Sequence, residues 1–149
     1  RIAGAIVRAR AVSPISSTTE LAAIIKSAVP AARRWEGQHP ARRTFQAIRI
    51  EVNSELKVLG QALCEAIHLL NKGGRLCVIT FHSLEDRIAK LQFQAFEKPC
   101  TCSPRAPICT CGKKPVVRIL TKKPATANLA EVEANPRSRS AKLRAIEKL

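Results

Sequence analysis

The sequence has no methionine, no tyrosine, one tryptophan and four phenylalanines in 149 residues. So few aromatic faces argue against a stacking platform for single-stranded nucleic acid. Its glycines stand only at positions 4, 37, 60, 73, 74 and 112, and no G-x-G lies between a strand and a helix. That excludes a dinucleotide fingerprint, a P-loop or a similar glycine-rich cradle from this stretch of chain. No apolar run approaches the roughly 20 residues that span a bilayer. Nor is there a signal peptide with its charged start, apolar middle and small-residue cleavage site. A cytoplasmic protein with no membrane partner is expected. The chain opens at Arg1 already inside an apolar-periodic stretch, which reads as a piece of something longer.

Acidic residues are also scarce: 11 Asp and Glu stand against 26 Lys and Arg, for a net charge of +15. The excess lies on the flanks. Residues 51–99 balance, whereas residues 1–50 and 100–149 carry the basic surplus. Such charge favours phosphate backbones and makes binding salt-dependent. A folded surface that holds structured RNA or a ribosomal face fits this distribution, although a basic protein without a nucleic-acid partner also would.

What is present is organised around Gly73–Arg87. A glycine pair ends a helical pattern, Arg75–Phe81 reads as a strand buried on both faces, and a dense polar cluster follows. Polar groups just beyond the carboxyl end of such a strand lie where open α/β sheets bind ligands. His82, Ser83, Glu85, Asp86 and Arg87 are therefore candidate site residues. The same residues also permit a plainer role, with Ser83 capping the next helix and Asp86 completing a capping box.

Upstream, Arg1–Arg10 has helical spacing and is broken by Pro14, and Ser17-Thr18-Thr19-Glu20 opens a second helix that ends by Pro30. Residues 31–43, with Arg33, Arg34 and Gly37, read as a loop or hinge. Phe45, Ile48, Val52, Leu56, Leu59, Leu63, Ile67 and Leu70 then step by three and four, which predicts one long amphipathic helix capped by Thr44. Downstream, a helix over 84–97 should turn Leu84, Ile88, Leu91 and Ala95 inward. Val116–Leu120 reads as a short strand, and Asn128-x-x-Glu131 caps a turn of helix that Asn135-Pro136 stops. Lys142–Leu149 fits helix or strand equally. The alternation of helix, strand, polar loop and helix points to a wound α/β sheet.

The cysteines fall into two groups. Cys64 and Cys77 read as core residues. Cys100, Cys102, Cys109 and Cys111 place four thiols in twelve residues. They could hold one structural zinc ion, stay as free or redox-labile thiols, or form disulfides; four thiolates would leave a metal no open position for catalysis. Two basic clusters, at Arg42-Arg43-Thr44-Phe45-Gln46 and Arg137-Ser138-Arg139-Ser140-Ala141-Lys142, are candidate anion sites or solvated charged faces.

Three stretches read together resemble the MraW/RsmH family of bacterial 16S rRNA (cytosine-N4)-methyltransferases. They are His39-Pro40-Ala41-x-Arg43-Thr44-Phe45-Gln46-Ala47-x-Arg49-Ile50-x-Val52-Asn53-x-Glu55-Leu56, Gly73–Leu76 with Phe81–Arg87, and Asn135–Arg144. The resemblance implies an α/β fold: the C-terminal half of a Rossmann-like class I methyltransferase core, plus the end of a helical insertion domain. Residues 1–43 would end that insertion and 44–149 would belong to the core, with a Cys-rich insert at 99–115. Arg75–Phe81 would be a central parallel strand, and Val116–Leu120 and Lys142–Leu149 two closing strands.

The implied reaction is S-adenosyl-L-methionine-dependent methylation of a cytidine amine in the decoding region of 16S rRNA, with the small ribosomal subunit as partner. The family's glycine-rich cofactor loop and first four strands would precede Arg1. Cofactor-binding residues are then expected outside this chain, and the chain alone is expected to be inactive. His82, Ser83, Glu85 and Asp86 become candidates for the cytidine side, with Arg87 and Asn53 touching substrate or bracing the loop. Arg43, Arg49, Arg137 and Arg139 would hold rRNA phosphates. No motif match assigns a catalytic base. Because the Cys insert occurs in only some members, zinc would not be essential to the chemistry. The competing reading is a non-enzymatic basic RNA- or ribosome-binding protein built on the same half-fold.

Overall fold

The computed structural model describes residues 1–31, 39–103 and 108–149. Arg33, Arg34 and Gly37 of the expected loop fall outside the described residues, as do residues 104–107 of the Cys-rich insert. The chain divides into two compact units, Arg1–Glu55 and Leu56–Leu149.

In the first unit, α1 (Ile2–Val12) stops at Ser13 ahead of Pro14, and α2 (Thr18–Ala28) packs beside it. Ser17 Oγ accepts the Glu20 N–H at 3.1 Å, while the Glu20 carboxylate accepts the Ser16 N–H at 3.0 Å. The expected capping signal is thus present, with the return bond one residue upstream. Helix α3 (Arg42–Val52) starts two residues before Thr44, and no side chain caps it.

The predicted single helix from Thr44 to Asn71 does not form. Helix α3 ends at Val52 and α4 (Glu55–Leu69) begins anew. Between them Ser54 takes a left-handed φ of 52°, a conformation a helix does not continue through. The Asn53 amide reaches forward to Glu55 Oε1 at 3.2 Å. Asn and Ser offer the backbone local alternatives to helix, and apolar periodicity carries no trace of that competition.

The second unit is a small antiparallel sheet covered by helices. Strand β4 (Lys142–Lys148) is its centre, pairing β1 (Arg75–Thr80), β2 (Val117–Ile119) and a two-residue β3 (Ala125–Thr126). The ambiguous C-terminal stretch is therefore strand. Because β1 and β2 both run against β4, they point the same way with β4 between them. The expected central parallel strand is instead paired only with an antiparallel neighbour among the described residues.

Nor is β1 buried on both faces. Leu76, Val78 and Thr80 face the core, whereas Arg75, Cys77 and Ile79 are exposed. Cys77 is thus not a core residue, and Cys64 on α4 is half-buried. The reason is that the six buried residues of the core all lie on one side of the sheet. Leu63 and Ile67 come from α4, Ala89 and Phe93 from α5 (Ser83–Glu97), and Val117 and Ile146 from the strands. Each such large side chain contributes about 1.5–3 kcal/mol.

The buried side of α5 is Asp86, Ala89 and Phe93 rather than the expected stripe. Leu84 and Leu91 are about half exposed and Ala95 is exposed; of the expected four, only Ile88 packs on the core. An apolar count missed this face because it carries a carboxylate neutralised by Arg144 of β4. At the other end of β1, Gly73 adopts φ 78°, and its N–H donates to Lys148 O at 2.9 Å. Short helix α6 (Leu129–Ala134) is capped by Asn128, as expected, and a 3-10 turn over Pro136–Ser140 leads into β4. No described helix is long and apolar enough to cross a membrane.

Candidate functional site

The register sets Thr80 opposite Lys142, so the carboxyl end of β1 and the entry to β4 lie at one end of the sheet. Both polar clusters of this unit, residues 81–87 and 137–142, gather there. The turn into α5 is closed by His82 rather than Ser83. His82 Nδ1 accepts the Glu85 N–H at 3.3 Å. Glu85 Oε2 in turn accepts the N–H groups of Phe81 and His82 at 2.9 and 3.2 Å. The capping box predicted for Ser83 and Asp86 thus exists one residue earlier. Residue type hid it, since an imidazole nitrogen here does what a hydroxyl usually does.

Because Nδ1 is an acceptor, the proton of the neutral ring sits on Nε2. That nitrogen is 3.2 Å from Glu85 Oε1 but makes no hydrogen bond; it is the one fully buried side-chain polar atom without a partner among the described residues. Ser83 and Arg87 are exposed on the first turns of α5.

Asp86 points the other way, into the protein. Its carboxylate takes a two-pronged contact from Arg144, Nε to Oδ1 at 2.7 Å and Nη2 to Oδ2 at 3.1 Å, with Lys142 Nζ at 3.7 Å from Oδ2. The Arg144 hydrogen bond, helped by the nearby Lys142 charge, holds the Asp86 carboxyl below its ordinary range despite burial. Sequence reasoning did not single out Arg144 as a partner, although it closes the third motif. The 3-10 turn before β4 holds Ser138 buried, its Oγ donating to Asn135 O at 2.8 Å, and leaves Arg137 and Arg139 exposed.

The remaining candidates belong to the first unit. Arg43 is exposed on α3. Arg49 and Asn53 meet on Glu55: Arg49 Nε lies 2.9 Å and the Asn53 amide 3.2 Å from Oε1. Arg42, Phe45, Gln46 and Arg49 line a shallow concavity of about 320 Å³.

The four clustered cysteines lie in the connection between α5 and β2. Their sulfurs all fall within 4.8 Å of one another. The neighbouring amides and thiols divide the proton affinities. Cys111 is lowered to about 6, first by the Lys113 N–H. At Cys100 the Cys102 N–H also lowers, but the thiols of Cys109, Cys111 and Cys102 outweigh it and raise the group to about 11.

Comparison with known proteins places these features. The family model described as the MraW methylase family matches residues 1–149. Proteins named ribosomal RNA small subunit methyltransferase H are similar along the whole chain. The relative from Symbiobacterium thermophilum is 60% identical, with 47% of its length covered. Those from Clostridium botulinum and Ruminiclostridium cellulolyticum are 56% and 53% identical, each with 48% covered. The chain spans about half the length of the curated relatives it matches.

Proposed function

The chain belongs to the MraW methylase family, and on that basis we propose that it is the C-terminal half of an S-adenosyl-L-methionine-dependent enzyme. The proposed enzyme methylates N4 of a cytidine in the decoding region of 16S rRNA. The observation that carries the reading is the family match over all 149 residues. The net charge of +15 supports an rRNA partner, because neutralising phosphates requires such a surplus.

The cofactor is proposed to be held mainly by residues outside this chain. The turn between β1 and α5 contains no glycine, and Glu85 already takes the Phe81 and His82 amides. The edge of β1 that is unpaired among the described residues, beside exposed Ile79 and Phe81, is where further strands of such a core would pair.

Within this reading, His82, Ser83, Glu85 and Arg87 form the cytidine side of the site. Asp86, with Arg144, holds the loop in place. The amine lone pair of cytosine is delocalised into the ring, so the protein must position N4 in line with the methyl donor, and positioning can supply much of the rate. The buried His82 Nε2 has no hydrogen-bond partner among the described residues, with Glu85 Oε1 3.2 Å away. Arg43, Arg49, Arg137 and Arg139 are assigned to rRNA phosphates. The four thiols stand apart from this chemistry.

The test compares this chain with one restored at its N-terminus. S-adenosyl-L-methionine is titrated calorimetrically into each, and small subunits lacking the modification are then assayed by mass spectrometry of digested rRNA. The restored chain should bind the cofactor and add one methyl at cytidine N4, and the short chain should do neither. Salt-dependent rRNA binding by the restored chain without cofactor binding or methyl transfer would instead establish a basic RNA-binding protein.

A further inference from the structure

Among its described residues, the connection from α5 to β2 has no core of its own. No described residue between Lys98 and Pro115 is buried, and Ile108 is 74% exposed. Its two ends are nonetheless fixed. The Val116 N–H donates to Phe96 O at 2.9 Å, and the Ile119 N–H to Glu97 Oε1 at 2.8 Å. Between these anchors, four sulfurs converge although none of the described residues there is buried.

Their separations are informative. Cys100 Sγ lies 3.6 Å from Cys109 and 3.7 Å from Cys111, while Cys109 lies 3.8 Å from Cys102 and 3.5 Å from Cys111. A single tetrahedral ion with metal–sulfur bonds of about 2.3 Å sets its ligands about 3.8 Å apart. A disulfide would instead bring one pair to about 2.05 Å, and all six cysteines are free. Both C-x-C pairs contribute sulfurs to the cage.

Gly112, immediately after the last cysteine, has φ 64°, while a Cβ there would meet nothing within 4 Å. This glycine serves a left-handed turn that follows the cage directly.

We propose that Cys100, Cys102, Cys109 and Cys111 bind one zinc ion as a closed tetrahedral site that fixes the α5–β2 connection. Binding forms four Zn–S bonds, and the protons still on the thiols pass to solvent. The product carries a net charge of −2, with Lys113 and Lys114 close by in the sequence. With four thiolates and no open position, the ion is structural. A tetrahedral four-sulfur set also suits iron; sulfurs this close together surround one ion rather than a cluster.

The test uses the full chain, purified reduced. Elemental analysis should find one zinc and no iron per chain. After removal of zinc, cobalt(II) should restore one equivalent with the charge-transfer and visible bands of a tetrahedral thiolate site. Cys109→Ser/Cys111→Ser should lose that equivalent, and Cys64→Ser/Cys77→Ser should keep it. A measurement on the unmodified chain avoids any folding defect of the variants: alkylation followed by mass spectrometry. Only Cys64 and Cys77 should react while zinc is bound, and all six once a chelator has removed it, with far-UV circular dichroism of the core elements retained. Iron at full occupancy, absence of the cobalt bands, retention of metal by the Cys109/Cys111 variant, or equal alkylation of all six thiols with zinc present would each overturn the proposal.

Discussion

Removing the Asp86 carboxylate should unfold this protein more readily than any surface substitution. The Asp86 and Arg144 side chains are 12% and 8% exposed, and both carboxylate oxygens are engaged. Asp86→Ala strands a guanidinium on the inner face of β4 with Lys142 nearby. Breaking one side of a buried pair costs about 3–5 kcal/mol, a large share of the roughly 5–15 kcal/mol that holds a domain together. Asp86→Asn retains an acceptor and should cost less, about 1.5–3 kcal/mol. Replacing both partners, as Asp86→Leu with Arg144→Met, should bring stability back to near the starting value.

The assay is urea unfolding followed by circular dichroism, with exposed Ser83→Ala as the comparator expected to shift by no more than about 0.5 kcal/mol. The pH dependence adds a second check. The Asp86 carboxyl is lowered from 3.8 in the folded state, chiefly by its Arg144 hydrogen bond. Its contribution is therefore fully present above that unfolded value and is lost as pH falls through the lower folded one. The gap between the unmodified chain and Asp86→Asn should close on the acid side only. An Asp86→Ala cost below about 1 kcal/mol, the range of exposed pairs, would refute the reasoning.

Two further outcomes follow from local geometry. Glu85→Ala removes the acceptor of two amides at the start of α5 and should cost about 0.5–2 kcal/mol in urea unfolding, with Glu85→Gln recovering part of it. No loss would mean those amides are satisfied by solvent. At Gly74 an added Cβ would stand 2.8 Å from Asn71 O, whereas at Gly73 it meets nothing and the obstacle is the left-handed φ. Gly73→Ala should thus cost about 1–2 kcal/mol and Gly74→Ala about 1–3 kcal/mol through backbone displacement. The second should also shift amide resonances around Asn71, and an unshifted spectrum would count against a clash.

The sequence by itself determined the local punctuation: where α1 and α2 begin and end, the Asn128 cap, the Gly73-Gly74 turn, and the strand that follows. It also marked the residues of the candidate site, because a polar cluster after an apolar run is visible without any partner. These features depend on groups a few residues apart. What only the tertiary structure decided depends on groups brought from far along the chain. Lys142–Lys148 became the central strand because β1, β2 and β3 all supply it with hydrogen-bonding edges, which its own ambiguous pattern could not show. The buried side of α5 includes Asp86 rather than the apolar Leu84 and Leu91, because Arg144, 58 positions away, neutralises the carboxylate. The thiol cage lay between these cases: four cysteines in twelve residues raised a metal site among several alternatives. Only folding, which held both ends of the connection, brought the four sulfurs within 4.8 Å of one another.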